Sequence, residues 1–100
     1  AESRLASAEI INLEQAKFNK PVLLAGDFNA KPETTEMLAF EKLWTRISPL
    51  QPTFPADKPD RIIDYIFVSK NTTVEVPESC VVNEPMASDH RPIFARVIFK

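Results

Sequence analysis

The chain has 100 residues, 44% apolar and 26% charged, which is one domain's worth of sequence and not the composition of a disordered tract. Net charge is −2 and the twelve Lys and Arg are scattered singly, so there is no basic stripe of the kind that marks a dedicated nucleic-acid binder. One cysteine excludes an internal disulfide and a thiolate metal cluster, one glycine excludes a Gly-rich phosphate loop, and no apolar run approaches the ~20 residues that span a bilayer.

Residues 2–18 read as a helix, with Ala6, Ile10, Leu13 and Lys17 on one face and Ser3 as N-cap. Asn19-Lys20-Pro21 stops it. Pro21 to Gly26 is a short continuous apolar run, the pattern of a buried central strand. Residues 33–44 read as a second helix capped by Thr34 or Thr35, with Met37, Leu38, Phe40 and Leu43-Trp44 as its apolar face. Residues 49–60 hold four prolines and read as a loop with an extended piece at Thr53-Phe54, where Phe54 is expected in the core.

Arg61 to Ser69, rich in β-branched and aromatic residues, reads as a strand. Thr72–Val76 and Cys80–Asn83 are weaker strands, and Cys80 beside Val81 and Val82 is expected to be a small buried hydrophobe. Ile93–Phe99 closes the chain as a strand. Helix, strand, helix and then mainly antiparallel strands predict an α+β domain of the layered α/β sandwich type.

Three segments break apolar strands with polar groups. Gly26-Asp27-Phe28-Asn29 leaves the first strand. On extended chain Asp27 and Asn29 point to one side, offering hard oxygen ligands for Mg²⁺ and an amide NH₂ for a phosphate oxygen. The same segment also suits an Asx turn. Asp64 lies mid-strand, where an unpaired carboxylate costs several kcal/mol, so it needs a partner: Arg61, a backbone amide, or a histidine that it orients. Ser88-Asp89-His90-Arg91-Pro92 carries the sole histidine. His90 is either a surface residue or Asp64's partner, since adjacent Asp89 faces the other way on extended chain. Gathered at one sheet edge, Asp27, Asn29, Asp64, Asp89 and His90 suit metal-assisted hydrolysis of a phosphate ester.

These three motifs, in this order, resemble the second half of the endonuclease/exonuclease/phosphatase superfamily, which includes deoxyribonuclease I, abasic-site endonucleases of the exonuclease III type, neutral sphingomyelinases and inositol-polyphosphate 5-phosphatases. The resemblance covers the chain from about Pro21 to its end. It implies half of the two-sheet deoxyribonuclease I-like fold and a Mg²⁺- or Mn²⁺-dependent phosphoesterase. It further implies that Asp27 places or activates the attacking water, Asn29 contacts the phosphate, Asp64 holds His90, and Asp89 lies in the metal site with Asp27 and Asn29.

Lys31, Lys58, Arg61 and Arg91 flank the motifs; Arg61 and Arg91 are candidate substrate contacts, or all four are solvated surface charges. The substrate is a small phosphate ester, a lipid head group or a nucleic acid. The family's first-half motifs are absent, so residues 1–100 read as a single partial domain, weak or inactive alone. Its exposed apolar face is expected to be covered by the missing N-terminal half or by self-association. The alternative is a non-catalytic structural or interaction domain built from the half-fold.

Overall fold

The computed structural model describes residues 9–14, 17, 20–70 and 72–100. Its elements are β1 (Leu23–Asp27), helix α1 (Thr35–Phe40), β2 (Trp44–Arg46), β3 (Asp64–Ser69), β4 (Val74–Val81) and β5 (Ile93–Phe99). They form a three-stranded antiparallel sheet in the order β1-β3-β2 and a two-stranded antiparallel sheet, β4-β5. The architecture is α+β, as expected from the order of elements.

Of the first predicted helix, residues 9–14 and 17 are described: 9–14 are helical and the exposed Lys17 lies in a turn, while Ser3 and Ala6 lie outside the described residues. The apolar face differs from expectation. Ile10 and Leu13 are exposed, while Ile11 packs on the core. The register is set by a polar contact: the Trp44 indole N–H donates to the Asn12 side-chain oxygen at 2.8 Å. Buried indole nitrogens need such a partner.

β3, not β1, is the central strand. It pairs with β1 through Leu23↔Val68 to Asp27↔Asp64 and with β2 through Trp44↔Ser69 to Arg46↔Phe67. Tyr65, Phe67, Val68 and Ser69 are buried, whereas β1 exposes Leu23, Ala25, Gly26 and Asp27. A continuous apolar run marks a strand that can be buried on both faces, but burial depends on neighbours that periodicity does not supply.

The second helix is shorter than its predicted range, ending at Phe40. Trp44 begins β2 instead, with its side chain buried. Trp44, Thr45 and Ile47 are aromatic or β-branched, a strand signal hidden behind the helical period before it. The two weak strand candidates are one strand, β4. Its pairing with β5 shifts register between Glu75 and Glu78, a bulge that accommodates Pro77 without a ladder N–H. Cys80 is exposed rather than buried because β4 belongs to a two-stranded ribbon that shields little of either face.

The core lies beneath the three-stranded sheet. The Phe28 ring meets Phe40, Tyr65 and Phe67 edge-on at centroid distances of 5.1, 5.4 and 5.5 Å. Edge-to-face contacts of this kind add to what area burial contributes. Met37, Trp44 and Ala30 complete the cluster. Because Phe28 sits between Asp27 and Asn29, the aromatic cluster anchors the loop that carries both.

The Tyr65 hydroxyl strengthens that anchor, donating to the carbonyl of Ala30 at 2.6 Å and also lying 3.1 Å from that of Ile62. Burial pushes the phenol pKa upward, so it remains a donor. Tyr65→Phe leaves the buried Ala30 carbonyl without this donor and is expected to destabilise the chain by about 1–3 kcal/mol in urea unfolding. An unchanged midpoint would show that the hydroxyl does not hold the loop.

Candidate active site

The single glycine stands at the end of β1 with φ +152°, a conformation that L side chains rarely adopt, although a Cβ there would meet nothing within 4 Å. The requirement is therefore conformational rather than one of space. After this turn of the backbone, the Asp27 carboxylate oxygen Oδ1 accepts the Asn29 N–H at 2.8 Å, and Asn29 takes φ +51°. The Asx turn is thus present, and it leaves the second carboxylate oxygen, Oδ2, directed at His90. Phe28 N–H donates to the Ile63 carbonyl at 2.9 Å, which closes the loop onto the start of β3.

Strand register sets Asp27 directly opposite Asp64. Like charges in that position repel. The His90 ring lies between them: Nδ1 is 2.8 Å from Asp64 Oδ2 and Nε2 is 3.6 Å from Asp27 Oδ2. Of the partners open to Asp64, the structure selects His90, together with the Thr53 hydroxyl, which donates to the same Oδ2 at 2.5 Å. Arg61 instead pairs with Asp60 at 3.3 Å and lies over the Phe54 ring at 5.2 Å.

The loop bearing His90 is held by the proline-rich segment. Ala56 N–H donates to the Asp89 carbonyl at 2.8 Å, Arg91 N–H to the Thr53 carbonyl at 2.8 Å, and Arg91 Nε to the Ala56 carbonyl at 2.6 Å. Phe54, expected in the core, is half-buried with its ring centroid 4.8 Å from that of His90. Beside these groups opens a cleft of about 460 Å³ lined by Ala25, Asp27, Asp64, Ser88, His90 and Arg91 among others.

Asp27, Asp64 and His90 can place one ligand atom each within 4.8 Å of one another. Asp89 is absent from this group; its exposed carboxylate has the Ser88 hydroxyl at 3.4 Å. Asn29 is exposed beside Asp27, Arg91 borders the cleft, and Arg61 borders a neighbouring hollow with Lys31 and Asp60. Thr53 was not among the expected site residues. Its signal was a lone hydroxyl in a proline-rich stretch, which carries no chemistry until folding brings it to Asp64.

The hydrogen bond to Asp64 raises the His90 pKa above its ordinary 6.5, opposed by desolvation and assisted by the charges of Asp64, Asp27 and Asp89. A raised folded-state pKa means that the protonated imidazole stabilises the fold. This contribution is fully present below pH 6.5 and is lost as pH rises through the folded pKa. NMR titration of this sole histidine is expected to show a midpoint above 6.5, falling in Asp64→Asn. Urea unfolding should show the matching loss of stability at higher pH in the parent chain and a smaller loss in the variant. Equal midpoints in the two proteins would remove Asp64 as the cause.

The sequence profile of the Endonuclease/Exonuclease/phosphatase family matches residues 1–90. Comparison with curated proteins finds no match. Among solved structures, the chain is similar to a mannosyl-6-phosphatase of Bacteroides thetaiotaomicron (23% identity, TM-score 0.83, covering 98% of this chain and 46% of that one). A functionally unknown conserved protein from Enterococcus faecalis superposes with 26% identity and TM-score 0.81, over 99% of this chain and 45% of that one. An endonuclease/exonuclease/phosphatase from Bacteroides vulgatus gives 22% identity and TM-score 0.82, with 99% and 45% coverage. The chain therefore spans less than half the length of these structures.

Proposed function

The chain belongs to the endonuclease/exonuclease/phosphatase family, and on that premise we propose that it supplies the carboxylate–histidine side of a divalent-metal-dependent phosphoesterase site. The observation that carries this reading is the Asp27–His90–Asp64 arrangement at the wall of an open cleft. Asp64 fixes the His90 ring through Nδ1, leaving Nε2 to face the cleft. Protonated there, His90 donates a hydrogen bond to a phosphate oxygen and stabilises charge that grows in the transition state. Asp27 Oδ2 orients the attacking water, the Asn29 amide NH₂ and the Arg91 guanidinium contact the substrate at the cleft, and Arg61, at the neighbouring hollow, contacts a part of the substrate farther from the scissile bond.

The donor set suits Mg²⁺ or Mn²⁺. Its carboxylates are hard oxygen ligands, and Asp27 Oδ2 is not engaged by the Asx turn. Asp27 is the principal ligand in this reading, with the exposed Asn29 beside it; Asp89 lies outside the Asp27–Asp64–His90 group and reaches the cation from the His90 loop only through a change of side-chain rotamer. When bound, the cation lowers the pKa of a coordinated water and offsets phosphate charge. His90 Nδ1 is committed to Asp64, so the imidazole serves the phosphate rather than the metal.

Residues 1–100 act as one partial domain, and full turnover requires the remainder of a longer protein or a second copy covering the apolar surface. The hydrolysed bond is a phosphodiester or phosphomonoester. A sugar phosphate is the first probe to try because one structural neighbour is a mannosyl-6-phosphatase, with a lipid head group and a nucleic acid as comparisons. No described helix is long and apolar enough to cross a membrane. A non-catalytic docking role is the second reading, favoured by exposed Phe94, Ile98 and Phe99 on β5.

Titration with Mn²⁺ while recording backbone NMR signals tests the site. Broadening centred on Asp27, Asn29, Asp89 and His90 is expected, and it should be lost in Asp27→Ala. A folded chain without localised broadening would refute a metal site in this half and favour the docking role. Any phosphate-ester hydrolysis by the chain should require the cation, stop with EDTA, and fall at least a hundredfold in His90→Ala, by roughly the contribution of a positioned acid–base group. Hydrolysis that survives both would place the chemistry elsewhere.

A further inference from the structure

Thr53 is 1% exposed, and all of its polar groups are committed, to the start of β3 on one side and to the His90 loop on the other. Its N–H donates to the Arg61 carbonyl at 2.9 Å, ahead of β3. Its carbonyl accepts the Arg91 N–H at 2.8 Å, next to His90. Its hydroxyl donates to Asp64 Oδ2 at 2.5 Å. A buried hydroxyl needs a partner, and a threonine ordinarily finds one in nearby backbone. Here it selects the one carboxylate oxygen that also meets His90 Nδ1.

Two donors converging on one oxygen have a geometric consequence and a chemical one. The carboxylate is held against rotation about its Cβ–Cγ bond, so the lone pair facing His90 keeps its direction. An ionised carboxylate has no hydrogen to give, so Asp64 Oδ2 accepts from the Thr53 hydroxyl and pairs with the His90 tautomer that carries its hydrogen on Nδ1. The ring's other nitrogen, Nε2, is thereby directed to Asp27 and the cleft. Removing the hydroxyl frees Asp64 to rotate, and the imidazole with it, although Thr53 itself does not line the cleft.

We infer that Thr53 is a positioning residue for the Asp64–His90 pair, acting through its hydroxyl on Asp64 Oδ2 to fix which ring nitrogen of His90 faces the cleft. The geometry stands independently; only its consequence for turnover rests on the phosphoesterase reading. Outer groups that orient a metal-bound histidine matter about tenfold or more when removed, and a loss of the same order is expected for an imidazole that meets a phosphate.

The test uses the ¹⁵N-labelled 100-residue chain at one fixed pH, where the sole histidine gives a single set of ring signals. The Nδ1–H proton is expected at low field and protected from exchange with water. Thr53→Val keeps the shape and loses the hydroxyl; it should lose that protected signal while amide signals of the aromatic core remain in place. Thr53→Ser should retain it. If the valine variant does not fold, Thr53→Cys, with only a weak S–H donor, takes its place. Wild-type protection in a folded valine or cysteine variant would overturn the proposal, and so would loss of the signal in folded Thr53→Ser.

A kinetic arm separates this inference from the functional reading. Where the chain hydrolyses a chromogenic phosphodiester measurably faster with Mn²⁺ than without it, the valine variant should lose about tenfold in kcat at unchanged KM, with rescue by serine. Asp64→Asn and His90→Ala that hydrolyse the probe like the parent chain would refute the functional reading. Loss of the protected ring signal in Thr53→Val would still support positioning.

Discussion

Two carboxylates placed face to face by strand register, and one imidazole between them, are the constraint around which this structure is arranged. Asp27 and Asp64 are register partners of β1 and β3, so their repulsion is built into the sheet rather than into flexible side chains. Moving them apart would slip the register by a residue and turn the strands' apolar side chains to the wrong face. The sheet therefore keeps the clash and His90 relieves it, with one nitrogen close to Asp64 and the other further from Asp27. Local strain of this sort is common where a structure is organised for chemistry rather than for stability alone.

The rest of the molecule can be read as support for that triad. The aromatic cluster beneath the sheet holds Phe28, and with it the turn between Asp27 and Asn29. The Tyr65 hydroxyl reaches from the central strand to the far end of the same turn. From the other side, the proline-rich segment has few conformations to lose and lies along the His90 loop through the carbonyls of Thr53 and Ala56. It reaches the site through a side chain as well, because Phe54 packs on the imidazole and Thr53 bonds to Asp64. The two-stranded ribbon is the least supported part: its apolar residues Phe94, Ile98 and Phe99 remain exposed. That exposure fits a chain spanning less than half of its structural neighbours.

The two helical readings and β1 show where local pattern misleads. The run from Pro21 to Gly26 looks like a central strand because it is uninterrupted, yet β3 takes that place by pairing on both sides. Trp44 looks like the end of a helical stripe, yet it starts a strand because its ring fills the core and its indole finds Asn12. Ile10 and Leu13 fit a helical face that turns out to be exposed, because that same Asn12 contact sets the helix's rotation. Cys80 fails for a related reason: apolar neighbours in sequence do not make an interior when the strand lies in a ribbon.

Motif order and residue chemistry were legible directly: a carboxylate and an amide after an apolar strand, a lone acid inside another, and a single histidine before the last. Those features depend on covalent spacing and on the cost of burying charge, both of which are properties of the chain. They brought Asp27, Asp64 and His90 into consideration together and pointed to an α+β fold. Which of several partners Asp64 takes, which strand is central, and which hydroxyl steadies the carboxylate were decided by folding. These are relations between residues as far apart as Asp27 and His90 or Thr53 and Asp64, and they exist only once register and loop packing fix distances that no local pattern encodes.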